Sequence, residues 1–389
     1  MEAGIIIIFI AILIVFAPFI STITKIPIIV VEMLLGVFGS YIGVLGDEMK
    51  AFEIVAQIGF LYLMFLAGME VNLKEFQTKK NTLLKRTILY FVLLYLFSLI
   101  FCIYFELKTV YIITFPIFSL GVLMALVKDY GKNEPWLNLA LNIGIVGELL
   151  SILAIAVLSG SLNNGFDATF FINMFALIMF LVVFVLIFKI FKILFWWFPE
   201  LKIFLMPIHD NKDTDVRLSM ALMFALVGVM MILSIDKVLG AFLAGLFIRT
   251  FFKHKIELPE KLSSFGFGFL IPIFFIYVGS TIPIYAFMNK GILTHALFIC
   301  GILFIIRLMS SFFTFSTYFG IKNTLLFTLS GSMPLTFLVA IATVAHNGQI
   351  IQDAEYYSFI LASMISAVVF MILIKIFYQL FYKKKEYKI

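Results

Sequence analysis

The sequence predicts an all-α integral membrane protein of about 13 transmembrane helices, built as two inverted-topology repeats with one broken helix in each. Three observations lead there: the composition, the regular spacing of long apolar runs, and segments that recur about 210 residues apart. With 63% hydrophobic, 17% aromatic and only 13% charged residues over 389 positions, the chain has too little polar surface for a water-soluble globule.

Apolar runs of about 17 to 28 residues, each able to cross a hydrocarbon core of roughly 30 Å as a helix, follow one another from end to end. The first, 5–22, lacks a basic segment before it and a small-residue cleavage site after it, so it reads as a span and not a removed signal. Next come 27–45, which contains Glu32, then 53–71 and 87–105 on either side of a lysine-rich loop. Run 109–127 is interrupted by Pro116, Ser119 and Gly121, and run 137–159 contains Glu148. After 169–195 and 217–234 comes 237–251, which is short for a span. Then follow 262–287, 291–318 with Arg307 inside it, 323–346 with Ser330, Gly331, Ser332 and Pro334 near its middle, and 356–380.

Basic residues supply an independent check, because lysine and arginine accumulate in short cytoplasmic loops. With thirteen spans, an external N-terminus and a cytoplasmic C-terminus, the basic residues fall at cytoplasmic ends except Lys50, Lys108, Lys237, Lys290 and the intramembrane Arg307. Dropping the short run 237–251 scrambles this order, so it is kept. The net charge of +6 is thereby explained by orientation in a bilayer, and no nucleic-acid partner is expected. The topology suits a multi-pass protein of a bacterial cell (inner) membrane. Cys102 and Cys300 both lie in spans, match no metal or disulfide spacing, and read as free apolar thiols.

The repeat appears when FLYLMFLAGMEV (60–71) is laid over PIFFIYVGSTI (272–282) with Gly68 on Gly279. At nearly the same offset MLLGVF (33–38) lies over FLAGLF (242–247), with Gly36 on Gly245, and FPIFSLGVLM (115–124) over FTLSGSMPLT (327–336). Seven spans separate the members of each pair, and an odd number inverts the second half relative to the first. The expected organisation is a first repeat over 1–159, a connector helix and cytoplasmic loop over 160–216, and a second repeat over 217–389.

The third pair aligns two interruptions. Proline removes a backbone donor and glycine weakens a helix, so unwinding there exposes amide and carbonyl groups that can face an ion. Two such breaks in inverted halves place a binding site at the midplane, with Pro116 and Gly121 in one break, Gly331 and Pro334 in the other, and the hydroxyls of Ser119 and Ser332 beside them.

Glu148 stands near the centre of its span, where an ionised carboxylate is costly unless paired, hydrated or protonated. Gly144 and Ser151, four residues before and three after, share its face and are expected to leave room for water and an ion. Desolvation favours the protonated form, which suits a group that trades a proton for a cation. Arg307 is the one basic residue deep in a span and is expected to act as the charge partner of Glu148. Glu32, five residues after Pro27, is expected to snorkel to the cytoplasmic surface. The histidines (His209, His254, His295, His346) show no catalytic spacing, so neither an enzyme nor a cofactor is expected, and the one metal expected at Glu148 is the transported cation.

The stretches KIPIIVVEMLLGVFGSYIG (25–43), IGFLYLMFLAGMEVNL (58–73), LSIDKVLGAFLAGLFI (233–248) and IPIFFIYVGSTI (271–282) resemble the monovalent cation:proton antiporters of the Kef-type branch, within the sodium/hydrogen exchanger superfamily. The resemblance covers nearly the whole chain. It implies the sodium/proton antiporter-like fold, a homodimer, and a mobile core that moves against spans near 1–3 and 8–10. It makes spans 5 and 12 the crossing broken helices, puts Glu148 in the place of the family's ion-binding aspartate, and puts Arg307 where members carry lysine or arginine. Two departures stand out: the family's acidic or Asn/Gln-Asp pair is Gly147-Glu148 here, and the polar signature of broken span 5 is thinned to Ser119.

The function this implies is secondary active exchange of a monovalent cation, sodium or potassium, for a proton by alternating access. With one titratable carboxylate, a one-for-one exchange is electroneutral. Because the chain stops at Ile389, just after the last span, the nucleotide-binding regulatory domain of full-length Kef systems is expected to be absent or supplied by a separate subunit. The alternatives keep the fold but carry another solute, or act as a non-exchanging membrane sensor or subunit.

Overall fold

A computed structural model of the chain describes residues 2–24, 26–45, 50–70, 81–131, 134–162, 168–207, 213–233, 237–253, 255 and 257–382. Among them the regular secondary structure is helical, with no strand. In chain order the helices are α1 (Glu2–Thr24), α2 (Ile28–Tyr41), α3 (Lys50–Glu70), α4 (Asn81–Tyr104), α5 (Val110–Thr114), α6 (Leu120–Tyr130), α7 (Pro135–Leu162), α8 (Ala168–Trp197) and α9 (Pro199–Leu205). They continue with α10 (Thr214–Ile232), α11 (Lys237–Phe251), α12 (Leu258–Phe265), a π-helical turn (Gly266–Leu270), α13 (Ile271–Ser280), α14 (Tyr285–Met288), α15 (Lys290–Gly331), α16 (Leu335–Asn347) and α17 (Asp353–Tyr382).

Among the described residues every apolar run expected from the sequence contains helix, yet length and composition alone qualify eight helices to cross a membrane, or nine if the bent pair 182–197 and 199–205 is one span. The shortfall from thirteen has physical causes. The run 109–127 is divided between α5 and α6 by its break, α2 and α11 are short, and Lys290–Asn347 is counted as one stretch of 58 residues. That stretch holds two expected spans: Gly320, with φ 76°, turns the chain inside α15, and only glycine takes this backbone conformation without strain. At the start of α15, the Asn289 side chain caps the helix by accepting the Gly291 N–H at 2.9 Å.

The helices group into two compact units that do not follow the sequence halves, each combining elements from both. One comprises Met1–Ile23, Val31–Thr78 and Ser159–Thr281. Its packing turns on glycines. A β-carbon at Gly36 would overlap the Ile276 carbonyl oxygen, and one at Gly279 would overlap that of Met33. The same holds for Gly68 against Phe242 and Gly245 against Phe65. In both pairs each glycine rests on the carbonyl three residues before its partner, the close backbone approach that small residues permit between membrane helices. In the π-helical turn, Gly266 makes room for the Tyr62 ring, whose hydroxyl donates to the Leu262 carbonyl at 2.9 Å. Asp215, at the start of α10, lies 3.7 Å from the Lys255 ammonium and 3.8 Å from that of Lys261. Glu32 is only 3% exposed, so its expected snorkelling to the surface is not what the structure shows: its side chain is covered by protein.

The other unit comprises Thr24–Val30, Lys79–Leu158 and Ile282–Ile389. An aromatic cluster occupies its centre, with Tyr90 of α4 packed edge-on against Phe118 and Phe327 and tilted on Phe315. Arg86 donates to the Thr314 carbonyl at 2.6 Å and joins α4 to α15. At its opposite end α17 receives two ties: Glu355 pairs with Lys108, just before α5, and Asp353 with His346 at the end of α16, at 2.8 Å.

Candidate functional site

The site forms where α7 packs on the first interrupted helix and that helix meets the second, within the second unit. Residues 115–119 leave helical geometry between α5 and α6, and 332–334 do so between α15 and α16. Pro116 and Pro334 lie inside these breaks, while Gly121 sits just inside α6 and Gly331 closes α15. The interruptions expected from proline, glycine and serine are therefore real breaks and not kinks. Both are buried, with Phe115, Ile117, Phe118 and Ser332 fully so.

The two breaks are joined directly. The Ser119 hydroxyl lies 2.5 Å from the Thr336 hydroxyl in the first turn of α16, and both side chains are buried. Thr336 is a site residue that sequence reasoning missed, since threonine is unremarkable in a membrane helix and lies 217 residues from its partner. Ser332 donates its hydroxyl to the Thr328 carbonyl at 2.7 Å, which closes the last turn before the second break.

Glu148, 1% exposed, projects from the segment of α7 that packs on the first break. Here the expectation of open room beside Gly144 and Ser151 is corrected. A β-carbon at Gly144 would lie 2.8 Å from Leu120 and 3.0 Å from Leu123, and one at Gly147 would lie 2.6 Å from Phe118, so side chains of α6 and the break fill that space. The Ser151 hydroxyl accepts the Phe118 N–H at 2.8 Å and donates to the Gly147 carbonyl at 2.7 Å. It thereby satisfies one of the amides that the break exposes.

Arg307, the expected charge partner of Glu148, is fully buried. Its guanidinium donates to the Ile117 carbonyl in the first break and to the Leu303 carbonyl at 3.2 Å, and stands 5.3 Å from the centre of the Phe118 ring. A cation here faces the carbonyl-bearing end of the half-helix before the break, where the peptide dipoles are negative. The α7 face next to Glu148 packs instead on the first turn of α6, the positive end of the half-helix beyond it. No group of three or more His, Cys, Asp or Glu among the described residues could hold a resident metal ion.

Residues 6–379 match the family described as sodium/hydrogen exchanger, transmembrane. YjbQ of Bacillus subtilis (strain 168), named provisionally as a Na(+)/H(+) antiporter, is 26% identical over 391 residues, which cover 93% of this chain and 60% of the relative. The chain thus spans about three fifths of that protein's length. Antiporter 3 of Methanocaldococcus jannaschii, also provisionally named for Na(+)/H(+), is 24% identical over 361 residues, 90% of this chain and 88% of its own. The solved structure of the sodium proton antiporter MjNhaP1 from the same organism, at pH 8, superposes with a TM-score of 0.68 over 97% of each chain at 16% identity, a likeness of fold.

Proposed function

This chain belongs to the transmembrane sodium/hydrogen exchanger family, and on that premise we propose that it exchanges a monovalent cation, Na+ or K+, for H+ by alternating access at Glu148. One observation carries the reading: a buried carboxylate on α7 next to Gly147, which packs on Phe118 of the first break, with that break joined to the second helix by the Ser119–Thr336 hydroxyl pair. The carboxylate holds either a proton or a cation, never both, because either one neutralises it and the buried setting disfavours a net charge. Neutral oxygens of the breaks complete the shell of the dehydrated cation. Arg307, held on backbone carbonyls, keeps its charge through the cycle and holds the first break in shape. With one carboxylate taking turns, the exchange is electroneutral.

The same reading takes the chain as two inverted repeats, 1–159 and 217–389, around a connector over 160–216. The glycine contacts support it: the offset that lays Gly36 on Gly245 and Gly68 on Gly279 carries one mutual contact onto the other. It further takes the protein as a homodimer in a bacterial inner membrane with an external N-terminus, supported by the family and by the distribution of basic residues. The Kef-type branch, and regulation by a separate subunit, rest on the resemblance of the four segments; the named relatives are Na(+)/H(+) antiporters.

Proteoliposomes with a trapped pH dye test the proposal. Addition of Na+ or K+ should move protons in the wild type at a rate that ignores the membrane potential, and Glu148→Gln should reduce that movement to the leak of empty vesicles. Proton movement that survives Glu148→Gln, or none in the wild type with any monovalent cation, would reject it.

A further inference from the structure

The Phe118 side chain meets α7, the second break and Arg307 at once. It is fully buried at the first break, and its β- and γ-carbons lie 2.6 Å from where a β-carbon on Gly147 would be. Its far edge, Cε1 and Cζ, lies 3.1 Å from where one on Gly331 would be, and the Arg307 guanidinium stands over its face. Its backbone N–H is held by Ser151, one turn beyond Gly147 on α7. A single ring thus fills the space between α7 and the second break and props the buried cation against the first.

We propose that Phe118 is the specificity-determining residue of the Glu148 site: a wedge that takes the volume a side chain at position 147 would need, and so limits the cation's shell to one carboxylate and the oxygens of the breaks. The proposal rests on the exchange reading above and adds to it the residue that sets which ion fits. Two consequences follow from the geometry. Since real β-carbons essentially never approach heavy atoms as closely as 2.6 Å, Gly147→Ala must displace the ring near its rigid root, whereas Gly331→Ala presses only on its outer edge. Gly147 should therefore be the less tolerant position although both are glycines. Trimming the ring enlarges the shell, which favours the larger cation, because discrimination by a packed site depends on the fit of one or two groups.

The experiment compares wild type, Phe118→Leu, Phe118→Val, Gly147→Ala, Gly331→Ala and the double variant Phe118→Val/Gly147→Ala in proteoliposomes, reading half-saturating Na+ and K+, with unfolding midpoints in detergent measured in parallel. Expected are a loss of about tenfold or more in exchange for Gly147→Ala, a smaller loss for Gly331→Ala, recovery in the double variant to near the Phe118→Val single variant, and a change of about tenfold in the Na+/K+ ratio for Phe118→Leu. A Na+/K+ ratio unmoved by Phe118→Leu overturns the specificity role, because a merely structural residue would change stability and not ion ranking. Failure of the double variant to recover in both exchange and unfolding midpoint overturns the wedge. If the wild type exchanges no cation, the exchange reading fails first and takes the specificity role with it, while recovery of the midpoint still reports whether Phe118 and Gly147 compete for one space.

Discussion

Ser151 shows how one hydroxyl can hold a break in a buried helix. It is at once acceptor for the Phe118 amide and donor to the Gly147 carbonyl, so Ser151→Ala leaves a buried N–H unsatisfied. The expected cost is about 1–3 kcal/mol, read as a lower unfolding midpoint in detergent, with Ser151→Thr restoring most of it. Arg307→Lys should keep the positive charge yet lose the second carbonyl contact and the flat face against Phe118, and so cost exchange rate more than Glu148→Asp does. Parity of the two variants in proteoliposome assays would contradict that. Glu148 and Arg307 could be found in the sequence because charges inside apolar runs are conspicuous. Thr336 and Phe118 could not, because threonine and phenylalanine are ordinary in such runs and only the meeting of distant segments gives them a role. The same limit explains the misreading of Gly144 and Ser151: the sequence shows that their side chains are small, not whose side chains fill the space beside them.

Among the elements, the glycine crossings α2·α13 and α3·α11 offer the sharpest contrast. At Gly36, Gly68, Gly245 and Gly279 the obstruction is backbone, which cannot rotate aside, whereas Gly4, Gly228 and Gly301 have nothing near. Alanine at any of the first four should abolish or sharply reduce folded yield, a penalty above the roughly 1–3 kcal/mol of ordinary overpacking. Alanine at the last three should leave yield unchanged, as fluorescence-detected size exclusion of tagged variants can show. The breaks were legible because proline, glycine and serine cluster there. The π-helical turn at Gly266–Leu270 was not, since an inserted residue within an apolar helix leaves the composition unchanged. The runs 291–318 and 323–346 leave Gly320 in the gap between two spans, and its φ of 76° makes it a turn inside one helical run.

Over the whole molecule, hydropathy and charge predict a threading through the membrane but not which helices pack together. The compact units draw on both halves, 79–158 joining 282–389 in one and 31–78 joining 159–281 in the other. Internal similarity reveals the repeat, whereas packing partners depend on contacts that no single segment encodes; the grouping came into view through the family resemblance. Threading itself is testable: on a background with Cys102 and Cys300 replaced by serine, a single cysteine at Lys108 or Lys290 should react with an impermeant thiol reagent added outside intact cells. One at Lys322 should react only after the membrane is opened, and the reverse pattern would invert the assigned orientation. The ties at the start of α17 carry a last consequence. With Lys108 and His346 both anchored there, the segment that leads into α5 and the end of α16 share one attachment at the first turn of α17. On the exchange proposed above, that shared attachment predicts that both breaks present their ligands to the ion as one unit, so that the gradients alone set the direction of exchange.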